Sequence, residues 1–250
     1  MTQKAAAYPD PKSFYNHVMP DKYGSDYESA RWRANAFLSA QYQMMVDVLT
    51  RLVTPNVRQA RSILEVGPGP GTWTKILLGA NAEADYTLVD ISKEMLGQAR
   101  EGLSDRTNVL FVESDLLAFE SSKEFDFFFS SRAIEYMPDK RRVCAKISSL
   151  LAPGAHGAII TKMPKSFFDW LRGRSNSGLH GAQVGPRVLI GFMRENGLVV
   201  EKKRIATTTV PLLNSAFLNT AAYRLLKHVP LFFPLSLFAE SYIVIFHKPV

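Results

Sequence analysis

The sequence predicts an α/β protein in which a mostly parallel sheet is covered by helices on both faces, a doubly wound arrangement. Three observations carry this. Short apolar runs alternate with amphipathic stretches through the middle of the chain. One run, Phe127 to Phe129, is continuously apolar, as in a strand buried on both faces. A glycine-rich turn, Gly67 to Gly71, joins another apolar run directly to a helical pattern.

Taken in order, Tyr27 to Val53 reads as a long helix with Phe37, Leu38, Met44, Met45, Val48 and Leu49 on its apolar face, a cap over the sheet or the site. Arg61 to Val66 is the first strand, and Gly71 to Gly79 a helix carrying Trp73, Ile76 and Leu77. Tyr86 to Asp90 is strand two. Ser92 opens a helix with Met95, Leu96 and Ala99 on one face. Val109 to Val112 and Phe125 to Ser130 are strands three and four. Lys140 to Leu151 is a helix stopped by Pro153 and Gly154, and Gly157 to Thr161 is strand five. Arg187 to Glu195 is a helix with Gly197 at its stop, Val199 to Val210 strand six, and Ser241 to His247 a last strand rich in β-branched and aromatic residues. Between these strands, 211–240 reads as an insertion of one or two apolar helices interrupted by Arg224, Lys227 and His228.

A chain of 250 residues with 46% hydrophobic content is long enough for one globular domain with a real core and too apolar for disorder. The lone Cys144 excludes an internal disulfide or a multi-thiolate metal site and suits a reducing compartment. Met1 to Pro20 has no continuous apolar stretch of signal-peptide type, and Val229 to Ala239 is short and broken by Pro230 and Pro234. A cytoplasmic location is expected. The formal charge of +7 is uneven: residues 1–160 hold 18 Lys and Arg against 19 Asp and Glu, residues 161–250 hold 12 against 4. Such a field suits an anionic substrate, an acidic membrane surface or nucleic acid, or is simply a well-solvated surface.

The turn Glu65, Val66, Gly67, Pro68, Gly69, Pro70, Gly71 lets the backbone fold sharply and lets a ligand approach without meeting a Cβ, at the carboxyl edge of the sheet. The positive end of the following helix favours a negative group. Asp90 ends the second strand a little over twenty residues on, where a carboxylate accepts from both hydroxyls of a ribose; its other reading is a cap for the helix at Ser92. Asp115, after the third strand, can accept from an adenine amino group. Together they point to a nucleoside.

On these residues the chain resembles the class I S-adenosylmethionine-dependent methyltransferases over about Ser62 to Pro164. The third glycine comes one residue earlier than in the dinucleotide fingerprint, and Glu65 stands two residues before the turn, as in that family's motif. The resemblance implies a Rossmann-like sheet of seven strands with the last antiparallel, and S-adenosylmethionine as cofactor. It implies contacts from Glu65, Gly67, Gly69 and Gly71 to the amino-acid end, from Asp90 and Ile91 to the ribose, and from Asp115 and Leu116 to the adenine. Phe125 to Pro138, with Ser131 among its residues, looks like the motif that closes over the methionine part. The division implied is a helical cap (1–60), a cofactor-binding core (61–165) and a C-terminal part of the same domain (166–250) with a substrate lid (211–240). A nicotinamide-dependent oxidoreductase or a non-catalytic binding protein of this fold are the alternatives.

A hydroxyl acceptor needs a base near its proton. Candidates are His180 in a glycine-rich loop after strand five, Glu135 just beyond strand four, and His17 in an aromatic stretch with Phe14, Tyr15 and Tyr23 that folds over the cofactor. Equally, His180 is a surface histidine, and Glu135 binds a backbone amide or pairs with Arg132. No metal constellation or nucleophile elbow is present. The apolar, basic 211–240 suits a small-molecule or lipid-linked acceptor, methylated on oxygen, and peripheral contact with an anionic membrane at its inner face; packing on the core or a partner chain explains it as well. Nucleic acid is disfavoured: Lys202, Lys203 and Arg204 lack interleaved aromatics, and Ser130 to Ala133 stands where amino-group nucleic acid methyltransferases carry prolines and an aromatic.

Overall fold

The computed structural model describes residues 10–19, 21, 27–164, 182–210, 215–232 and 234–250. Seven strands form one sheet: β1 (Ser62–Val66), β2 (Asp85–Asp90), β3 (Val109–Glu113), β4 (Phe125–Ser131), β5 (Leu151–Lys162), β6 (Val199–Thr208) and β7 (Ala239–His247), in the order β3-β2-β1-β4-β5-β7-β6. The first five pair in parallel, and β7 runs antiparallel between β5 and β6. Strand order reverses between β1 and β4, so the crevice for a ligand opens beyond their carboxyl ends.

Helices cover both faces. They are α1 (Tyr27–Trp32), α2 (Ala36–Val48), α3 (Thr74–Ala80), α4 (Lys93–Gly102), α5 (Lys140–Leu150), α6 (Pro186–Glu195) and α7 (Ala216–Leu226). The period-two alternation of buried strand residues separates two cores. Leu64, Val66 and Phe128 pack with Ile147, Leu189 and Met193 from α5 and α6 on one face. Ile63, Phe127 and Phe129 pack with Met45, Val48, Leu49 and Leu77 on the other. The N-terminal helices therefore complete a core rather than resting on a finished one.

Two expectations are corrected. The long helix at 27–53 is broken at residues 33–35, because Asn35 takes an extended conformation and its Oδ1 accepts Leu38 N at 2.9 Å, starting α2 afresh. Strand five begins at Leu151, ahead of Pro153 and Gly154: the turn expected there survives as a bulge, with Gly154 at φ 79° and the register jumping from Phe125 opposite Leu151 to Phe127 opposite His156. The insertion holds α7 and a short turn at Leu235–Phe238. Among the described residues no helix is long and apolar enough to cross a membrane.

Candidate functional site

β1 delivers the chain into the turn with Gly67, Gly69 and Gly71 at φ 72°, 57° and 83°. Gly67 N donates to Val89 O at 2.8 Å, which ties the turn to β2. A Cβ at Gly67 would stand 2.2 Å from Ala133 Cβ, so the turn and the segment after β4 are in contact only because that atom is missing. A Cβ at Gly69 would meet nothing within 4 Å: it would enter open space. That space is a cavity of about 290 Å³ bounded by the turn, the ends of β2 and β4, the 114–117 segment and the N-terminal helices.

Asp90 sits on the cavity wall, 9% exposed. Its Oδ2 accepts Gly69 N at 3.1 Å and its Oδ1 accepts Ser92 N at 2.9 Å. One carboxylate thus fixes the apex of the glycine turn and the start of α4, and burial lifts its pKa to about 6. Asp115 Oδ1 accepts Leu117 N at 2.7 Å, and Asp115 and Leu116 both line the cavity. Glu65 is buried beneath the turn, where Oε2 accepts Thr74 Oγ1 at 2.8 Å at the head of α3. Burial pushes its carboxyl up to about 8, and the nearby Asp90 charge adds to the rise.

Glu65 yields a test. The folded chain keeps a proton on this group that the unfolded chain, with an ordinary value of 4.5, releases. Its contribution to stability is therefore complete below that value and is lost as pH rises through about 8. Glu65→Gln preserves the acceptor for Thr74 and does not titrate. We expect the ligand-free variant to melt near the wild type at about pH 5 and roughly 5 °C or more above it at about pH 9. An equal offset at both pH values would contradict the buried-acid account.

At the end of β4, Ser131 and Arg132 line the cavity. Ser131 Oγ is buried without a hydrogen-bond partner, an orphan hydroxyl on the wall of an otherwise satisfied site. Arg132 is the sole non-glycine at positive φ (65°) among the described residues, strain of the kind that persists at functional sites. Glu135, fully buried, accepts Arg132 Nε at 3.1 Å and Lys162 N at 3.0 Å, both through Oε2. It locks the end of β4 to the end of β5.

The helical turns Pro11–Ser13 and Phe14–Val18 cross the crevice. Lys12 Nζ donates to Glu113 at 2.8 Å, Asn16 Oδ1 accepts Ser92 Oγ at 2.7 Å, and the Tyr15 and Tyr136 hydroxyls lie 2.9 Å apart. Tyr15, Tyr136, Tyr27, Arg31, Trp32 and Trp73 complete the wall. Arg31 lies 4.2 Å over the Trp32 ring and has no carboxylate partner among the described residues.

Of the residues singled out in the sequence, Gly67, Gly69, Asp90, Ile91, Asp115, Leu116 and Ser131 meet on one cavity. Glu65 and Gly71 lie behind the wall and shape the turn. Glu135 follows the pairing alternative, with both its Arg132 and its backbone partner. His17 is exposed and does not line the cavity, because the side chain that the 14–18 turn directs inward is Tyr15. His180 lies outside the described residues. Sequence reading did not place Arg31, Trp32 or Trp73 at the site, whereas Tyr136 falls within the Phe125 to Pro138 segment it singled out. Among the described residues no group of three or more His, Cys, Asp or Glu could hold a metal ion.

Comparison with known proteins agrees with this geometry. A family model described as a methyltransferase domain matches residues 63–154, the segment from β1 through the start of β5. The chain is 31% identical over 125 residues to a malonyl-[acyl-carrier protein] O-methyltransferase of Ilyobacter polytropus, covering 50% of this chain and 46% of the relative. It is 28% identical over 133 residues to trans-aconitate 2-methyltransferase of Escherichia coli, covering 53% and 50%. The chain thus spans about half or less of the length of the curated relatives it matches. The fold is shared with an N-methyltransferase of Bradyrhizobium japonicum solved with S-adenosyl-L-homocysteine, at a TM-score of 0.62 and 16% identity over 94% of this chain and 99% of that one. Residues 63–154 are thus similar to a methyltransferase domain, and the chain shares the fold of S-adenosylmethionine-dependent methyltransferases.

Proposed function

We propose that this protein transfers a methyl group from S-adenosylmethionine to an oxygen of a small-molecule or lipid-linked acceptor. The observation that carries the reading is the glycine turn whose apex amide is held by Asp90 on the cavity wall, with open space where a Cβ of Gly69 would stand. The residues suit that cofactor. Asp90 offers its carboxylate to the ribose hydroxyls, Asp115 and Leu116 border the adenine, and the orphan Ser131 Oγ meets the polar methionine end. Glu65, Gly71 and Glu135 position these groups. When bound, the cofactor supplies a methyl group on a sulfonium, which leaves as a neutral thioether.

The acceptor must supply an electron pair to that carbon and lose its proton, if it has one, to a base. Among the described residues no histidine lines the cavity. Tyr136 is pushed up to about 12 by burial, and Tyr15 is also raised, so neither takes a proton near neutrality. A carboxylate oxygen needs no base. The Arg31 guanidinium on the same wall, over the Trp32 ring and without a carboxylate partner among the described residues, suits an anionic acceptor, in keeping with the relatives named for malonyl-[acyl-carrier protein] and trans-aconitate. The chain is read as one cytoplasmic domain divided into a cap (1–60), a core (61–165) and a remainder with a lid (166–250, 211–240). For a hydroxyl acceptor, His180, which lies outside the described residues, stands as the base ahead of His17, which does not line the cavity.

Calorimetry with S-adenosylhomocysteine and NAD side by side tests the cofactor: saturable heat with the first and none with the second is expected, and the reverse removes the reading. Labelled methyl groups carried to the acceptor should be released as volatile methanol by alkali. A base-stable label would move the acceptor to a hydroxyl or an amine.

A further inference from the structure

α7 is built inside out. Asn219 and Tyr223 face the protein, fully or nearly fully buried: Asn219 Oδ1 accepts Val210 N, Thr208 Oγ1 donates to Asn219 O at 2.7 Å, and Tyr223 OH donates to Asp47 at 2.7 Å. Lys227, just past the helix, pairs with the same Asp47 at 2.9 Å. The outer face carries Phe217 and Leu225, each 78% exposed, with Leu218 and Arg224 also exposed. At 100° per residue these four fall within an arc of about 120°. With Asn219 and Tyr223 inward and Phe217 and Leu225 outward, α7 presents an apolar face that is exposed in this chain.

Its surroundings point to what covers it. Phe232 is also exposed, and Leu231 N next to it donates to Lys203 O at 3.2 Å, so the backbone just before Phe232 passes along the edge strand β6 at the basic run Lys202, Lys203, Arg204. None of those three has a carboxylate partner among the described residues. The exposed Arg224 adds to the cationic margin, within the third of the chain that holds 12 basic and 4 acidic residues. We propose that the outer face of α7, with Phe232 and the Lys202–Arg204 edge, docks on an anionic lipid bilayer: Phe217, Leu218 and Leu225 enter the interface while the cations meet phosphate groups. A second copy of the chain fits less well, because a two-fold contact through this face would bring like charges together. α7 also starts from the carboxyl end of β6, the edge of the sheet on which the cavity opens, so docking would present the cavity to a lipid-linked acceptor.

The proposal stands apart from the methyl-transfer reading and is tested by binding. The purified chain is sedimented with phosphatidylcholine vesicles with and without phosphatidylglycerol. Pelleting with the anionic vesicles at low salt, lost as salt rises, is expected. Phe217→Ser/Leu225→Ser, at exposed positions, should weaken partitioning about tenfold or more while the thermal melt and S-adenosylhomocysteine affinity stay unchanged. Lys202→Glu/Arg224→Glu should flatten the salt dependence. The proposal is overturned by no association of the wild type at low salt, by undiminished binding of the serine variant, or by a dimer that the serine variant dissolves without any vesicle binding. Vesicle binding without S-adenosylhomocysteine binding would sink the methyl-transfer reading alone.

Discussion

Asp90→Ala should weaken S-adenosylhomocysteine binding by about a hundredfold to ten-thousandfold, since hydrogen bonds to a charged group contribute roughly 1.5–3 kcal/mol each and two ribose hydroxyls are at stake. Part of the loss is indirect: without the carboxylate, the amides of Gly69 and Ser92 lose their acceptor and the turn keeps only its Gly67–Val89 tie to β2. Asp90→Asn separates the two effects. It keeps one oxygen for one amide and should retain the melting temperature better than the alanine variant while still losing about tenfold or more in affinity. The acid with its pKa lifted to about 6 adds a second signature. If the ribose hydroxyls donate to the ionised form, wild-type affinity falls as pH drops below about 6, and the asparagine variant shows no such fall. In the ligand-free chain the sign for stability is the opposite one. The proton held above the ordinary value of 3.8 favours folding at low pH, an advantage lost as pH rises through about 6. Calorimetric affinities at several pH values on both variants check this; equal affinity for wild type and Asp90→Ala would remove Asp90 from the site.

The glycine-turn side of the cavity was legible because its signals are local. A turn that needs three residues at positive φ selects glycine at Gly67, Gly69 and Gly71, and a carboxylate at the end of the neighbouring strand follows from the parallel register that sets Val66 beside Val89, one residue short of Asp90. Strands β1, β2 and β4 were equally plain, since burial on both faces leaves continuous apolar runs. The aromatic wall beside the N-terminal helices was not. Arg31, Trp32 and Trp73 meet only because α1 folds back onto α3, and the stacking of Tyr42 on Trp73 at 5.5 Å joins residues far apart in sequence. Glu135 read as a base from its place after β4, yet its partners come from the φ 65° turn at Arg132 and from the backbone of β5, neither visible in a linear pattern. The orientation of α7 was not legible for a related reason. Periodicity shows which residues share a face and not which face turns inward, and here Asp47 on α2 draws Tyr223 and Lys227 to the protein side.

Gly67→Ala should be more damaging than any other single methyl group added to the turn. The left-handed backbone at φ 72° costs an alanine about 1–2 kcal/mol by itself. The new Cβ would also stand 2.2 Å from Ala133 Cβ, far inside contact distance, and Gly67 is held in place by its bond to Val89 O. Relief then requires the 133 segment to retreat, which disturbs Arg132, Ser131 and the Glu135 lock together. A loss of about 3 kcal/mol or more in stability is expected, with cofactor binding abolished at ordinary ligand concentrations. Gly69→Ala is the control: its backbone at φ 57° carries a similar conformational cost, yet its methyl meets no protein atom. It should lose only about 1 kcal/mol in stability while binding suffers from a group placed in the cofactor's space. The clash, unlike the dihedral strain, can be removed from the other side. Gly67→Ala with Ala133→Gly deletes the opposing carbon, so the pair should recover about 1 kcal/mol or more beyond the sum of the single effects. Urea unfolding of the four proteins measures that coupling. Strict additivity would mean that the turn and the end of β4 do not touch as described, and the cavity they enclose would lose one of its walls.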